Sequence, residues 1–444
     1  MKLEIKLFIY YGALLFAMST WTNMQSAPPM ALRASFLIAM FLPLYVYKTE
    51  WTPIVLSTFL LVSDNSFATS ILPDGHIPYI IIVLILAYRQ GKVKHIPIRP
   101  IAMILLIYTY IINTITGNTI DRTALYMGYF YLFAFPFFVK KNDEFFPHLF
   151  SYAFIVSSLT LSIILALFGA QFARSATLGN YESFTWKDTN YWSNVIAMGV
   201  VAALIELYNS RGNKRIRLFL WGVVATEALV LIVTASRGSI LAVAAAFLFL
   251  FLSSNANKNT KIYTTIGVVI IVGVLFFSGK MDRLIFRIFE EDTFATGNGR
   301  VDIWTAKLEK FFRGDQSHRI LGYGTEGGRK LGAEGTLLGL ISTHNDFLSY
   351  LCYYGYIGLT LFLVLLYRPL MNIKSRNKTV VYSATAFITV SIFTLEPLAG
   401  GNIAWFAFLF YIYAWSQVSN ASAGGKIKKL GFRQDKFAPT LHLR

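Results

Sequence analysis

Apolar runs about as long as a bilayer-spanning helix recur along this chain from its first residues to about residue 417. A helix rises about 1.5 Å per residue, so roughly 20 apolar residues cross a hydrocarbon layer about 30 Å thick. The runs fall near 7–24, 30–47, 52–64, 76–89, 100–116, 123–139, 146–169, 191–208, 217–236, 238–253, 262–278, 347–367, 379–395 and 401–417. They predict an all-α polytopic membrane protein of about 14 (12–14) transmembrane helices, of which 52–64 and 76–89 are short enough to tilt or re-enter. With 55% hydrophobic and 14% charged residues over 444 positions, and a mean hydropathy of +0.53, the chain carries more apolar surface than a soluble core needs. Soluble folds are excluded.

Lysine and arginine set orientation, because they stay on the cytoplasmic side while acids weigh little. Counting alternately from a cytoplasmic N-terminus, one set of loops holds Arg89, Lys92, Lys94 and Arg99; Arg211, Lys214, Arg215 and Arg217; Lys258 and Lys261; and Arg368, Lys374, Arg376 and Lys378. A basic tail over 421–444 follows, and the opposite short loops are poor in such residues. This predicts both termini in the cytoplasm. The formal charge of +17 follows from the same asymmetry. Each basic cluster caps a hydrophobic span, which points to anionic lipid headgroups as partners and to no nucleic acid.

Lys2 and Lys6 precede an apolar run with no clear small-x-small cleavage site, so a retained first helix is expected. The single cysteine, Cys352, permits no internal disulfide and no cysteine metal cluster. The chain reads as one integral membrane domain over 1–420, with a cap over about 279–345 on the exterior face, between the helices near 262–278 and 347–367. From 279 to 343 that stretch holds ten basic and nine acidic residues, amphipathic helical spacing from Val301 to Phe312, and a glycine-rich run from Gly322 to Gly339. Such patterning predicts an ordered cap.

Single arginines stand at the exterior ends of spans. Arg237, in Thr-Ala-Ser-Arg-Gly, lies between two apolar runs. An arginine there is costly unless it snorkels, pairs or binds a ligand. Its place against the positive-inside bias favours the ligand. Arg300, in Gly-Asn-Gly-Arg-Val-Asp-Ile-Trp, starts the amphipathic helix, where free N–H groups and a bidentate guanidinium suit a phosphate. Its alternative is a surface pair with Asp302. Arg174 precedes Leu178-Gly-Asn in an exterior loop rich in aromatics, which serve either as an interfacial belt or as sugar-stacking platforms.

His344, in His-Asn-Asp-Phe, sits at the exterior mouth of a span with Asn345 beside it. An imidazole, with an unperturbed pKa of about 6.5, accepts a proton from a hydroxyl at neutral pH. Either that role or a structural one suits a lone histidine, and the neighbouring arginines favour the first. Paired-histidine spacing and cysteine ligand sets are missing from the sequence, and Glu290, Glu291 and Asp292 read as a solvated charge run, so no metal or other cofactor is expected. Glu227 is a buried acid within a span, in want of a partner on a neighbouring helix.

Taken together, Arg174 with Leu-Gly-Asn, Ser-Arg237-Gly-Ser-Ile-Leu, Gly-Arg300-Val-Asp-Ile-Trp, Leu321-Gly-Tyr-Gly and His344-Asn345 with Gly355-Tyr-Ile-Gly358 resemble the O-antigen ligase and O-antigen polymerase superfamily of bacterial membrane glycosyltransferases. The likeness covers about 170–365. It implies a GT-C-like helical fold, a periplasmic cap, and a glycan donor carried on undecaprenyl diphosphate. It further implies that Arg237, Arg300 and Arg174 hold the diphosphate, that His344 is the base, supported by Asn345, and that transfer inverts the sugar without nucleotide or metal. The chain departs from the family in reading Asn180-Tyr-Glu where Asn-Pro-Asn is usual, and in exceeding twelve spans.

Three activities suit these residues. A ligase moves a finished glycan to lipid A core, and this is the reading favoured; a polymerase uses a second lipid-linked glycan as acceptor. A lipid-linked glycan transporter is the third, but its ionisable residues belong at the bilayer midplane.

Overall fold

The computed structural model describes residues 2–24, eight positions between 31 and 46, and 100–117, 145–177, 189–209, 214–234, 236–253, 276–277, 300–332, 343–371, 377–394 and 403–417. Twelve helices run through the described residues: α1 (Lys2–Met24), α2 (Pro100–Ile115), α3 (Phe145–Thr177), α4 (Thr189–Asn209), α5 (Lys214–Thr234), α6 (Arg237–Ser253), α7 (Arg300–Arg313), α8 (Gln316–Leu321), α9 (Gly324–Lys330), α10 (Asp346–Met371), α11 (Lys378–Thr394) and α12 (Ile403–Gln417). No strand occurs among them.

The all-helical expectation holds for the described residues, and among them three helices, Pro147–Leu167 within α3, α5 and α10, are long and apolar enough to cross a membrane. The spans expected at 52–64, 76–89 and 123–139, nearly all of 262–278, cap residues 279–299 and 333–342, and the tail from 421 lie outside the described residues. That at 30–47 is described in part, with the Tyr10 hydroxyl donating to the Ala39 carbonyl at 2.6 Å.

Cross-contacts fix the direction of each helix. His148 near the start of α3 meets Glu206 near the end of α4, at 2.8 Å, so these two run antiparallel. Ser151 and Tyr411 share a hydrogen bond at 2.8 Å and His148 meets Trp415 edge-on, so α12 is antiparallel to α3 as well. Along α6, Ser239, Ala242, Ala246 and Leu250 form the buried stripe. The small side chains of Ser239, Ala242 and Ala246 admit α11 closely enough for the Ser383 hydroxyl to donate to the Ala246 carbonyl at 2.8 Å. At the far end of the same pair, a Cβ on Gly238 would collide with the Thr394 hydroxyl. Helices α6 and α11 are therefore antiparallel, and the starts of α4 and α6 share one end of the bundle with the finishes of α3, α5 and α11.

The opposite flanks of α5 and α6 expose Leu218, Phe219, Leu229, Val233, Leu241 and Leu252. A bilayer is the solvent that such flanks require. Inside the bundle, Glu227 on α5 is fully buried and hydrogen-bonds Ser158 on α3, beside Gly199 of α4. Its partner is thus a hydroxyl.

Helix α10 breaks at Gly355, whose backbone is left-handed (φ 64°, ψ −164°). A break frees carbonyls that a membrane protein must satisfy internally. Here the cap does so: the Tyr323 N–H donates to the Cys352 carbonyl at 3.1 Å. The Tyr108 hydroxyl of α2 lies 3.0 Å from the Tyr354 carbonyl and 3.1 Å from that of Leu321. Asn113, also of α2, accepts from the Thr325 N–H at 2.7 Å and donates to the Tyr354 hydroxyl at 3.2 Å. The glycine motif expected to lie on one continuous helix thus marks the point where that helix is interrupted and the cap is joined to it.

Candidate functional site

Arg237 is the first residue of α6, and Ser236 caps it: the Ile240 N–H donates to the Ser236 carbonyl at 3.1 Å, and the Ser236 and Ser239 hydroxyls are 3.0 Å apart. A buried polar network ties this turn to α4, with Ser239 donating to the Asn194 side chain at 3.0 Å and Ser193 donating to the Thr234 hydroxyl at 2.9 Å. Buried hydroxyls are stable when each finds a partner, so the turn carrying Arg237 is held from both sides.

Arg300 is the first residue of α7, whose buried stripe is Ile303, Lys307 and Phe311. The Arg300 guanidinium donates from Nη1 to the Thr394 carbonyl at 2.8 Å. Thr394 is the residue that Gly238 abuts, so the α6 start and the Arg300 side chain meet at the finish of α11. Arg300 stands at a helix start and turns to Thr394. Asp302 is exposed.

The start of α10 is the third component. Thr343 is buried, and its hydroxyl accepts from the Asn345 N–H at 3.2 Å. Asn345 caps α10 by accepting from the Leu348 N–H at 3.1 Å. Between them His344 has a φ of +50°, the one non-glycine residue with positive φ among those described. A side chain in that region costs on the order of 1–2 kcal/mol, so the surrounding turn over-determines it. Helix α7 reaches this turn too: the Trp304 indole N–H donates to the Thr343 carbonyl at 2.7 Å, and its ring meets Phe393 edge-on at 5.5 Å.

Arg237, Arg300 and His344, 107 positions apart at the extremes, therefore stand at one end of the bundle around the finish of α11. Arg174 lies in the last turns of α3, at the end that antiparallel packing sets beside the start of α4. The residues that assemble this end, Thr394, Trp304, Thr343, Ser193, Asn194, Ser236 and Ser239, are ordinary in sequence. Of these, Ser236, Ser239 and Trp304 lay in motifs that drew notice, whereas Thr394, Ser193 and Asn194 did not.

Lys307 secures the cap. It is 2% exposed, and its ammonium donates to the carbonyls of Gly328 (3.1 Å), Arg329 (2.6 Å) and Leu331 (3.3 Å) at the finish of α9. Three donors meet three carbonyls that the end of a helix leaves without intrahelical partners.

A helical protein with spans apolar enough to cross a membrane, and with arginines at two helix starts around Thr394, is the class that the described residues define. Residues 222–363, from α5 into α10, match the family model described as O-antigen ligase, which shows the O-antigen ligase resemblance over the stretch that holds Arg237, Arg300 and His344. No curated protein matches the chain. The match covers less than half of the chain and is a likeness of this stretch to the O-antigen ligase model.

Proposed function

We propose that the protein transfers a glycan from undecaprenyl diphosphate to an acceptor hydroxyl of lipid A core, on the periplasmic face of a bacterial inner membrane. Arg237 and Arg300, with Arg174 beside them, hold the diphosphate, and His344 takes the acceptor proton. The acceptor oxygen attacks the anomeric carbon opposite the diphosphate, the carbon–oxygen bond to the diphosphate breaks, and the sugar inverts. The proton passes to the imidazole and the lipid diphosphate leaves with the bonding electrons. Asn345, by capping α10, supports the turn on which His344 sits.

One observation carries this reading: two arginines occupy the first positions of two helices that converge on Thr394, with His344 joined to the same place through Trp304. A cation at a helix start opposes the macrodipole by about 0.3–1 kcal/mol, whereas an anion there gains both from the dipole and from the guanidinium.

Purified protein in lipid, given a lipid-diphosphate glycan and lipid A core, tests the activity: transfer is expected, and unaltered substrates would refute it. A deletion strain separates the acceptors. Loss of all glycan-capped lipopolysaccharide fits the ligase, whereas capping by single repeats fits a polymerase. Reporter fusions after Lys94, Arg215 and Lys378 are expected to read cytoplasmic and one at Gly332 exterior; a cytoplasmic Gly332 would place the site on the wrong face.

A further inference from the structure

Arg300 and Trp304 lie four residues apart, one helical turn, and so on one face of α7. Arg300 grips the last residue of α11 through the Thr394 carbonyl, at 2.8 Å, and Trp304 packs on the residue before it, Phe393, at 5.5 Å. Trp304 then reaches across to a third element, donating its indole N–H to the Thr343 carbonyl at 2.7 Å. That carbonyl and the His344 N–H belong to one planar peptide unit. Holding the oxygen therefore holds the plane from which His344 projects. On its other side His344 is fixed by the Asn345 cap, and its φ of +50° is a conformation that the turn does not adopt without such restraint.

We propose that Trp304 is a positioning residue that couples the diphosphate arginines to the base. It ties the His344 peptide plane to the helix whose first residue is Arg300, so a donor diphosphate that orders the start of α7 also sets the imidazole for the acceptor hydroxyl. The inference rests on the reading of Arg300 and His344 given above. A tryptophan that merely filled space beside Phe393 would need its ring and not its N–H.

Trp304→Phe removes the donor and keeps an aromatic ring against Phe393. Should it fail to accumulate in the membrane, 3-benzothienylalanine at position 304 retains the bicyclic shape without the N–H and makes the same test. Wild type, Trp304→Phe, His344→Gly and the double variant are compared in lipid, with undecaprenyl diphosphate as the binding probe and a lipid-diphosphate glycan as donor. Trp304→Phe is expected to bind the probe as wild type does while kcat falls by about tenfold to a hundredfold, the loss produced by a misplaced reacting group. In the His344→Gly background the same change is expected to cost nothing further, because Trp304 acts through the imidazole. Wild-type kcat in Trp304→Phe, or the same fold loss persisting without the imidazole, overturns the coupling. Full turnover in His344→Gly alone is a different failure: it removes the base assignment, and the coupling falls with it.

Discussion

Gly322 of the cap and Gly355 of α10 press backbone against backbone, each in the left-handed region, with φ values of 91° and 64°. A Cβ on Gly322 would run into the Tyr353 carbonyl, and one on Gly355 into the Ile320 carbonyl. The two residues come from separate motifs, Leu321-Gly-Tyr-Gly and Gly355-Tyr-Ile-Gly358, that the fold makes into one joint. Alanine at either position meets both an unfavourable φ, about 1–2 kcal/mol, and an overpacked contact, about 1–3 kcal/mol. Gly322→Ala and Gly355→Ala are each expected to lower Tm in detergent and to cut transfer, while a surface change such as Arg313→Ala leaves Tm in place. A Tm equal to wild type in either alanine variant would mean that the joint yields easily.

Lys307 gives a second test of the cap. Lys307→Met keeps the buried stem and deletes three hydrogen bonds to the finish of α9. At about 1 kcal/mol for each, the local loss is roughly 3 kcal/mol. Amide exchange over 324–332 is expected to speed by about two orders of magnitude, with α4 and α6 unaffected. Unchanged protection in that segment would show that the α9 end is held without the ammonium.

For the diphosphate arginines, Arg237→Ala and Arg300→Ala are expected to lower transfer at least a hundredfold while the protein still reaches the membrane. A preorganised donor aimed at charge that builds on a leaving group contributes about 3 to 4 kcal/mol to the transition state. Lysine rescues poorly at either position, because an ammonium cannot form the planar fork. Arg300→Ala also frees the finish of α11, so a lowered Tm is expected with it; equal activity to wild type in either variant argues against the clamp.

Much of the architecture was legible because a membrane helix is written locally. The apolar run at 191–208 became Thr189–Asn209 and that at 379–395 became Lys378–Thr394, since a bilayer leaves the backbone no alternative to helix over such a stretch. Val301–Phe312 was legible for a different reason, its amphipathic spacing, although its buried stripe includes Lys307, which a hydrophobic pattern does not place inside. The interruption of α10 was not, because Gly355 sits in an unbroken apolar run and only its contact with Gly322 shows why the helix turns there. The meeting point of the arginines was equally hidden. Thr394 is a hydroxyl at the end of a span, like many others, and 94 residues separate it from Arg300. The arginines stood out in the sequence; Thr394, Ser193 and Asn194, which pack around them, did not.

His344 is the sharpest test of the chemistry, and its backbone dictates the variant to use. With φ at +50°, His344→Ala would remove the imidazole and also leave a Cβ in a strained conformation, so a loss of activity would have two causes. His344→Gly removes the side chain and relieves the backbone, and so isolates the base. Turnover in His344→Gly is expected to fall by roughly a hundredfold to ten-thousandfold, the range for a general base, with donor binding retained because the proposed function assigns the diphosphate to the arginines. Small imidazoles added to the medium are expected to restore part of the rate in His344→Gly and none in Arg300→Ala. Measured with undecaprenyl diphosphate as the binding probe, His344→Gly should bind as wild type does and Arg237→Ala should not. If the two variants lose the probe equally, His344 holds the substrate, and the proton must pass to another group.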